Sequence, residues 1–264
     1  YGDTTNQGMS GFYHINEHAW SHAALRFAGI TADQLADIAP AARLAHPLTS
    51  AWRARLGLGA VNVYSCGNDQ SCSATGAGLT AAGGILCNFG TAMVVYALKD
   101  ELPSALLDKQ IAGISPYTGR YFLLGLESEC GNVLDWAHRL CYAQEPFTFM
   151  LEQALLAPVD GTSLPHVSLP GGGRIELQGL TVGCERAHLV RALLERFAET
   201  FGELLGGVCG AQEAHQLFAS GGVSRSDAWL QFLSRRLNIQ FQRTSTEQPG
   251  LVGVARIIQR ATQP

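Results

Sequence analysis

Apolar residues recur along this chain in two rhythms: close together in short stretches, and at spacings of three to four. Short stretches with closely spaced apolar residues, at residues 60–64, 85–88, 92–98, 121–126, 216–219 and 239–243, predict strands. The helical spacing predicts helices at 71–79, 131–141, 187–208, 227–237 and 252–260. In the second of these, Val133, Leu134, Trp136 and Leu140 share one side. Closer to the N-terminus, residues 11–16 read as a strand. Ser21 caps a helix running through Phe27 and stopped by Gly29. Thr31 and Gln34 form a capping box for a short helix to about Ile38, which Pro40 ends. A third helix spans 49–56, closed by Gly57 and Gly59. Residues 99–120 read as loop, and 165–180, with glycines at 171, 172 and 173, as an exposed β-loop. Strands that alternate with helices predict an α/β layer architecture.

Three of the strands end in glycine-anchored turns with chemistry in them. Gly67-Asn68-Asp69-Gln70 offers a carboxylate at a strand end. Asn88-Phe89-Gly90-Thr91 offers a backbone N–H and a hydroxyl in a tight turn, groups that suit a phosphate oxygen. Ser220-Gly221-Gly222-Val223-Ser224-Arg225-Ser226 is a strand-to-helix turn without side chains at its start, where a flat base or ribose can lie against backbone. A proton acceptor, a phosphate cradle and a nucleotide seat are the parts that phosphoryl transfer needs. Each turn also has a plain structural reading: Asp69 as a helix cap serving Ser71 and Cys72, Gly90-Thr91 as an ordinary hairpin, Gly221-Gly222 as a turn with no ligand.

Composition narrows the field. The chain has 264 residues, enough for one large domain or one domain and part of another. Apolar residues make up 47% and charged residues 15%, which suits a compact chain with a sizeable core. A net charge of −4 argues against nucleic acid or an anionic membrane as partner. The seven cysteines show no metal-ligand spacing and read as reduced thiols of a cytoplasmic protein. His14, His18 and His22 are spaced i, i+4, i+8, but an intervening turn and cap place them on different elements, so no zinc site is read there. Glu127, Glu129 and Asp135 are a weak candidate for a metal cluster. There is no Walker loop, GxSxG elbow, HExxH or GxGxxG, which leaves an NAD-dependent enzyme poorly supported.

The order of the three turns resembles the FGGY carbohydrate kinases, a family that includes xylulokinase, glycerol kinase, gluconokinase and sedoheptulokinase. A fourth stretch, from Asp3-Thr4-Thr5-Asn6 to Ser10, followed by Trp20-Ser21 and a helix, is similar to another of that family's segments. The resemblance runs from Asp3 to about Ala255. It implies an actin-like ATPase (ribonuclease H-like) architecture, with two α/β domains around a cleft. It implies an ATP-dependent kinase acting with Mg2+ on a ketose or polyol. Asp69 would be the general base and, with Gln70, a substrate contact. Gly90 and Thr91 would meet the γ-phosphate; Gly221, Gly222 and Ser226 would meet adenosine; Gly131 and Asp135 would also touch the nucleotide.

Two departures from the family pattern stand out: Asn68 is inserted between Gly67 and the base, and Asp135 stands where glycerol kinase has glutamine. Ser115-Pro116-Tyr117 and Gly131-Asn132-Val133-Leu134 look somewhat like sedoheptulokinase, the Asp3 stretch as much like xylulokinase. The family's first phosphate hairpin has no counterpart here. The expected organisation is therefore residues 1–67 as the C-terminal remainder of sugar-binding domain one and residues 68–264 as nucleotide-binding domain two. A catalytically incomplete homologue that acts by binding nucleotide or sugar is the second reading. A homodimer is the assembly considered.

Overall fold

The computed structural model describes residues 2–102, 110–159, 164–209 and 216–263, without the side chains of residues 44–46. The principal strands are β1 (Gly84–Phe89), β2 (Met93–Lys99), β3 (Ile111–Ile114), β4 (Tyr121–Glu127), β5 (Gln216–Ser220) and β6 (Phe241–Arg243). The principal helices are α1 (Asp69–Ala77), α2 (Gly131–Cys141), α3 (Phe147–Leu156), α4 (Arg186–Cys209), α5 (Asp227–Leu237) and α6 (Pro249–Thr262). The six strands form one mixed sheet in the order β6-β5-β1-β2-β4-β3. β5 and β6 pair in parallel, with Leu217 opposite Phe241; β3 and β4 pair antiparallel, with Ile114 opposite Tyr121. β2 is buried along its whole length, as a central strand should be. The chain divides into two compact units. The first is Tyr1–Gly84, Tyr96–Leu124 and Gln248–Pro264; the second is Ile85–Val95 and Gly125–Glu247.

In the first unit the tightest packing is the crossing of α1 and α6. A Cβ on Gly76 would collide with the Pro249 carbonyl, and one on Gly253 with the Cys72 carbonyl. The two backbones therefore touch at these glycines, and Arg256 Nη1 donates to the Thr75 carbonyl at 2.8 Å across the same crossing. Tyr96 stacks on Phe122 with centroids 4.7 Å apart, and its hydroxyl reaches Ser71 Oγ at 3.2 Å, which ties β2 to the first turn of α1.

In the second unit an aromatic cluster fills the core. Phe89, the last residue of β1, lies 5.2 Å from Phe201 of α4, 6.1 Å from Trp229 of α5 and 6.0 Å from Phe241 of β6, centroid to centroid. Burying a side chain of this size contributes about 1.5–3 kcal/mol. The cluster thus anchors the end of β1 from three directions.

Several sequence expectations change in detail. The helix expected after Thr31 is a single 3-10 turn, Ala32–Gln34. Gln34 Oε1 accepts from the Thr31 N–H at 2.9 Å, but Leu35 is already extended, and Ile38–Ala39 forms a short strand parallel to Gly2–Asp3. The strand expected at 11–16 contracts to Tyr13–His14, because Gly11 has φ +77° and the chain enters pairing only afterwards. The stretch read as loop at 99–120 contains β3; its residues 103–109 lie outside those described. Helix α3 was not expected. Its sequence, Phe-Thr-Phe-Met-Leu-Glu-Gln-Ala-Leu-Leu, is apolar nearly all round and so carries little 3.6-residue contrast.

Candidate functional site

In the second unit, three backbone segments meet at the end of β1. The β1–β2 turn closes with Gly90 N–H donating to the Ala92 carbonyl at 3.1 Å. The start of α2 rests on this turn: Cys130 N–H donates to the Thr91 carbonyl at 3.2 Å and Gly131 N–H to the Gly90 carbonyl at 3.0 Å. A side chain at 131 would strike the Gly90 carbonyl, so glycine is required for the approach. From the other side comes Gly221, with φ +90°; a Cβ there would lie 2.5 Å from the Phe89 carbonyl carbon. Both the left-handed backbone and the contact demand glycine.

Their convergence leaves a cavity of about 410 Å3 lined by Phe89, Gly90, Thr91, Gly131, Asp135, Phe147, Gly222 and Val223. Five of the residues singled out from the sequence, Gly90, Thr91, Gly131, Asp135 and Gly222, therefore share one wall system. Gly222 has an ordinary φ of −61°, and a Cβ there would meet nothing within 4 Å. Its glycine is thus not needed by the fold. Thr91 and Asp135 are exposed. Asp135 stands one turn along α2 from Gly131, on the same face, an axial rise of about 6 Å.

Gly221 and Ser226 stand apart from this lining. Ser226 is 4% exposed and its Oγ accepts from the Trp229 N–H at 3.2 Å, capping α5. Gly221 lines a neighbouring cavity of about 290 Å3 with Ser220, Ser224, Arg243 and residues 244–247. Arg243 was not singled out from the sequence. It donates to the Ser224 and Arg225 carbonyls at 3.1 and 3.2 Å and pairs with Asp227 at 2.7 Å, which holds the turn in place. Phe147 and Val223 were also missed. Pro146 ahead of an apolar run was the available signal for Phe147, since proline marks helix starts.

In the first unit, Asp69 is the first residue of α1 and is exposed. The inserted Asn68 takes the capping position: its Oδ1 accepts from the Ser71 N–H at 2.7 Å. Asp69 is thereby spared the capping duty, and its Oδ1 accepts from the neighbouring Gln70 N–H at 2.9 Å. Gln70 Oε1 is buried without a partner among the described residues. The Asp3 stretch meets this loop. Asp3, 5% exposed, accepts from Ser65 Oγ at 2.6 Å and caps the helix Thr4–Gly8, and Gly67 packs 3.2 Å from Thr5 if given a Cβ. Asn68 Nδ2 lies 3.1 Å from Met9 Sδ. Two of the sequence motifs, far apart in the chain, are thus joined.

Among the described residues no group of three or more His, Cys, Asp or Glu converges to hold a metal, and no helix is long and apolar enough to cross a membrane.

Known proteins bear on this arrangement. Residues 1–76 match the FGGY family of carbohydrate kinases, N-terminal domain. Xylulose kinase of Bacillus subtilis is 25% identical over 253 residues, covering 92% of this chain and 51% of that protein. Glycerol kinase of Thermus brockianus is 25% identical over 269 residues, covering 96% of this chain and 53% of that protein. This chain thus spans about half the length of the curated relatives it matches. Ligand-bound xylulose kinase from Lactobacillus acidophilus superimposes with a TM-score of 0.84 at 20% identity, covering 98% of this chain and 55% of that one. Plasmodium falciparum glycerol kinase with ADP gives 0.79 at 19% identity, covering 100% and 56%. The fold is the actin-like ATPase fold of the sugar kinases. Residues 1–76 thus match the FGGY N-terminal domain, and most of the chain is similar in sequence and fold to xylulose and glycerol kinases.

Proposed function

We propose that this chain belongs to an ATP-dependent carbohydrate kinase that transfers the γ-phosphate to a hydroxyl of a ketose or polyol. The observation that carries the reading is the single cavity at which Gly90, Thr91, Gly131, Asp135 and Gly222 meet. In the proposed mode the phosphates lie at the Gly90-Thr91 turn, where the exposed Thr91 offers its hydroxyl; the Gly90 N–H is already given to the Ala92 carbonyl. Asp135 would repel a phosphate, so the ribose belongs at its end of α2, where a carboxylate can accept from ribose hydroxyls. Gly222 leaves room for adenosine, and Phe147 offers it an apolar face. Gly221 and Ser226, assigned to adenosine by resemblance, would shape this seat from behind.

The first unit supplies the acceptor chemistry in this proposal. A sugar hydroxyl holds its proton far above neutral pH, so a carboxylate aimed at that proton assists transfer. Asp69 is proposed as that base, because Asn68 has relieved it of capping, and Gln70 as a hydrogen-bond partner of the sugar. Mg2+ would supply charge neutralisation on the phosphates, with Asp69 as a candidate water-mediated contact. A cytoplasmic location fits a kinase fed by ATP.

The test is a phosphoryl-transfer screen with ATP against ketoses, aldonates and polyols, run with wild type and Asp69→Asn. Sugar-dependent ADP release that the substitution suppresses supports the proposal. Nucleotide binding with no transfer to any acceptor would favour the second reading, a homologue that binds without catalysis.

A further inference from the structure

Directly before the cavity, the chain buries a carboxylate that the proposed chemistry does not use. Glu129 is 5% exposed. Its Oε2 accepts from Asn132 Nδ2 at 2.6 Å, and its Oε1 accepts from the backbone N–H of Gly173 at 3.0 Å. Gly173 belongs to the tip of a hairpin formed by strands His166–Gly171 and Arg174–Gln178. Gly172 and Gly173 both have positive φ, 65° and 73°, as a two-residue hairpin turn requires. Asn132 is held at its other end as well: its Oδ1 accepts from the Cys130 N–H at 2.8 Å. That same Cys130 N–H reaches the Thr91 carbonyl, and the next one, Gly131, reaches Gly90. A continuous run of hydrogen bonds therefore joins the hairpin tip to the cavity wall.

We propose that Glu129 is a positioning residue that couples the 171–173 hairpin to the nucleotide cavity, so that nucleotide affinity and hairpin order depend on each other. The proposal rests on the nucleotide reading above. Its physical basis is the polarity of the network. Only an acceptor at both oxygens satisfies two donors at once, and a buried charge is tolerated because those donors meet it. Any ligand that steadies the Gly90–Gly131 wall steadies Asn132, then Glu129, then the Gly173 amide. By linkage the hairpin returns the same coupling to the ligand.

Glu129→Gln preserves the shape and breaks the polarity. One oxygen becomes an amine and faces either Gly173 N–H or Asn132 Nδ2, a donor against a donor. Asn132 cannot turn over to help, because its amine would then face the Cys130 N–H. Adding Asn132→Asp to this variant reverses the bond between the two side chains and satisfies the whole set. The carboxylate introduced at position 132 accepts from the Cys130 N–H and from the amide introduced at position 129. The carbonyl oxygen of that amide accepts from Gly173. Asn132→Asp alone puts two carboxylates in contact.

The experiment combines titration with Mg-ADP and amide hydrogen exchange of the hairpin. Expected are slower exchange at Gly173 when ADP binds wild type, an affinity about tenfold weaker in Glu129→Gln, and recovery in the Glu129→Gln/Asn132→Asp pair. Asn132→Asp alone should be the weakest binder. General loss of structure would not produce recovery in the double variant. If Glu129→Gln does not fold, the wild-type exchange result decides. Wild type that binds ADP while the hairpin exchanges unchanged, or Glu129→Gln that binds as wild type, overturns the coupling. Wild type that binds no adenine nucleotide overturns the nucleotide reading itself, and the coupling with it.

Discussion

Gly221 and Gly222 are adjacent, yet their glycines serve different ends, and a pair of substitutions separates them. At Gly222 the backbone is ordinary, with φ −61°, and a Cβ meets nothing within 4 Å. Gly222→Val should therefore leave the thermal midpoint close to wild type. Gly222 lines both the cavity of about 410 Å3 and its neighbour of about 290 Å3, so the added methyl groups take up space where the two meet this turn. Crowding a filled site costs about 1–3 kcal/mol, which is roughly a 5- to 150-fold weaker Kd for ADP. At Gly221 the balance is the opposite. A Cβ would sit 2.5 Å from the Phe89 carbonyl carbon on a backbone with φ +90°. Gly221→Ala should cost folding stability by at least about 1–3 kcal/mol from the contact alone, with more from the left-handed strain. Calorimetric titration with Mg-ADP, beside thermal melts, reads both. A Gly222→Val protein that is stable and binds ADP as tightly as wild type would refute the placement of adenosine beside this turn.

Other outcomes follow from the same geometry. In the polypeptide that carries this chain, Asp69→Asn should lower sugar phosphorylation by about 10²–10⁴-fold with ADP affinity nearly unchanged; Glu127→Gln and Asp135→Asn, the rival carboxylates, should not reproduce that split. Gly253→Ala should lower the thermal midpoint although alanine favours helices by about 1 kcal/mol, because its Cβ would strike the Cys72 carbonyl and push α6 off α1; an increase would show that the crossing is looser than described. Burial pushes the Cys72 thiol from its ordinary 9.0 up to about 11. Since the folded chain keeps a proton that the unfolded chain loses, this contribution is complete below about pH 9 and is lost as pH rises toward 11. The denaturant midpoint should fall over that range, and Cys72→Ala should flatten the fall.

Much of this fold could be read from the chain because its strongest signals are local. Helices α2, α4 and α5 show clear apolar periodicity, and Ser21, Thr49 and Ser226 accept from backbone N–H groups as capping residues do. Helix α3 hides because its apolar residues do not keep to one side. Strand β3 hides because Ile111–Ile114 is short and owes its place to cross-strand pairing with Tyr121–Leu124, which the residues of β3 alone do not reveal. The candidate site was legible wherever backbone geometry forced a residue type. Gly131 and Gly221 are such positions. Phe147 was not, since an aromatic after a proline has many uses; Glu129 reads from the sequence only as a candidate metal ligand with Glu127 and Asp135, and no such group converges among the described residues. The role of Asn68 could be seen only once its hydrogen bond to Ser71 was placed. An apparent insertion in the motif then became the cap that releases Asp69.

The central claim is that the cavity between the β1–β2 turn, the start of α2 and the Gly221-Gly222 turn seats an adenine nucleotide. A crystal structure of the chain grown with Mg-ADP tests it most directly. The account predicts phosphates at Gly90-Thr91, ribose within hydrogen-bonding reach of Asp135, and adenosine passing Gly222 toward Phe147. Nucleotide density elsewhere on the chain, with this cavity empty at saturating ADP, would contradict it.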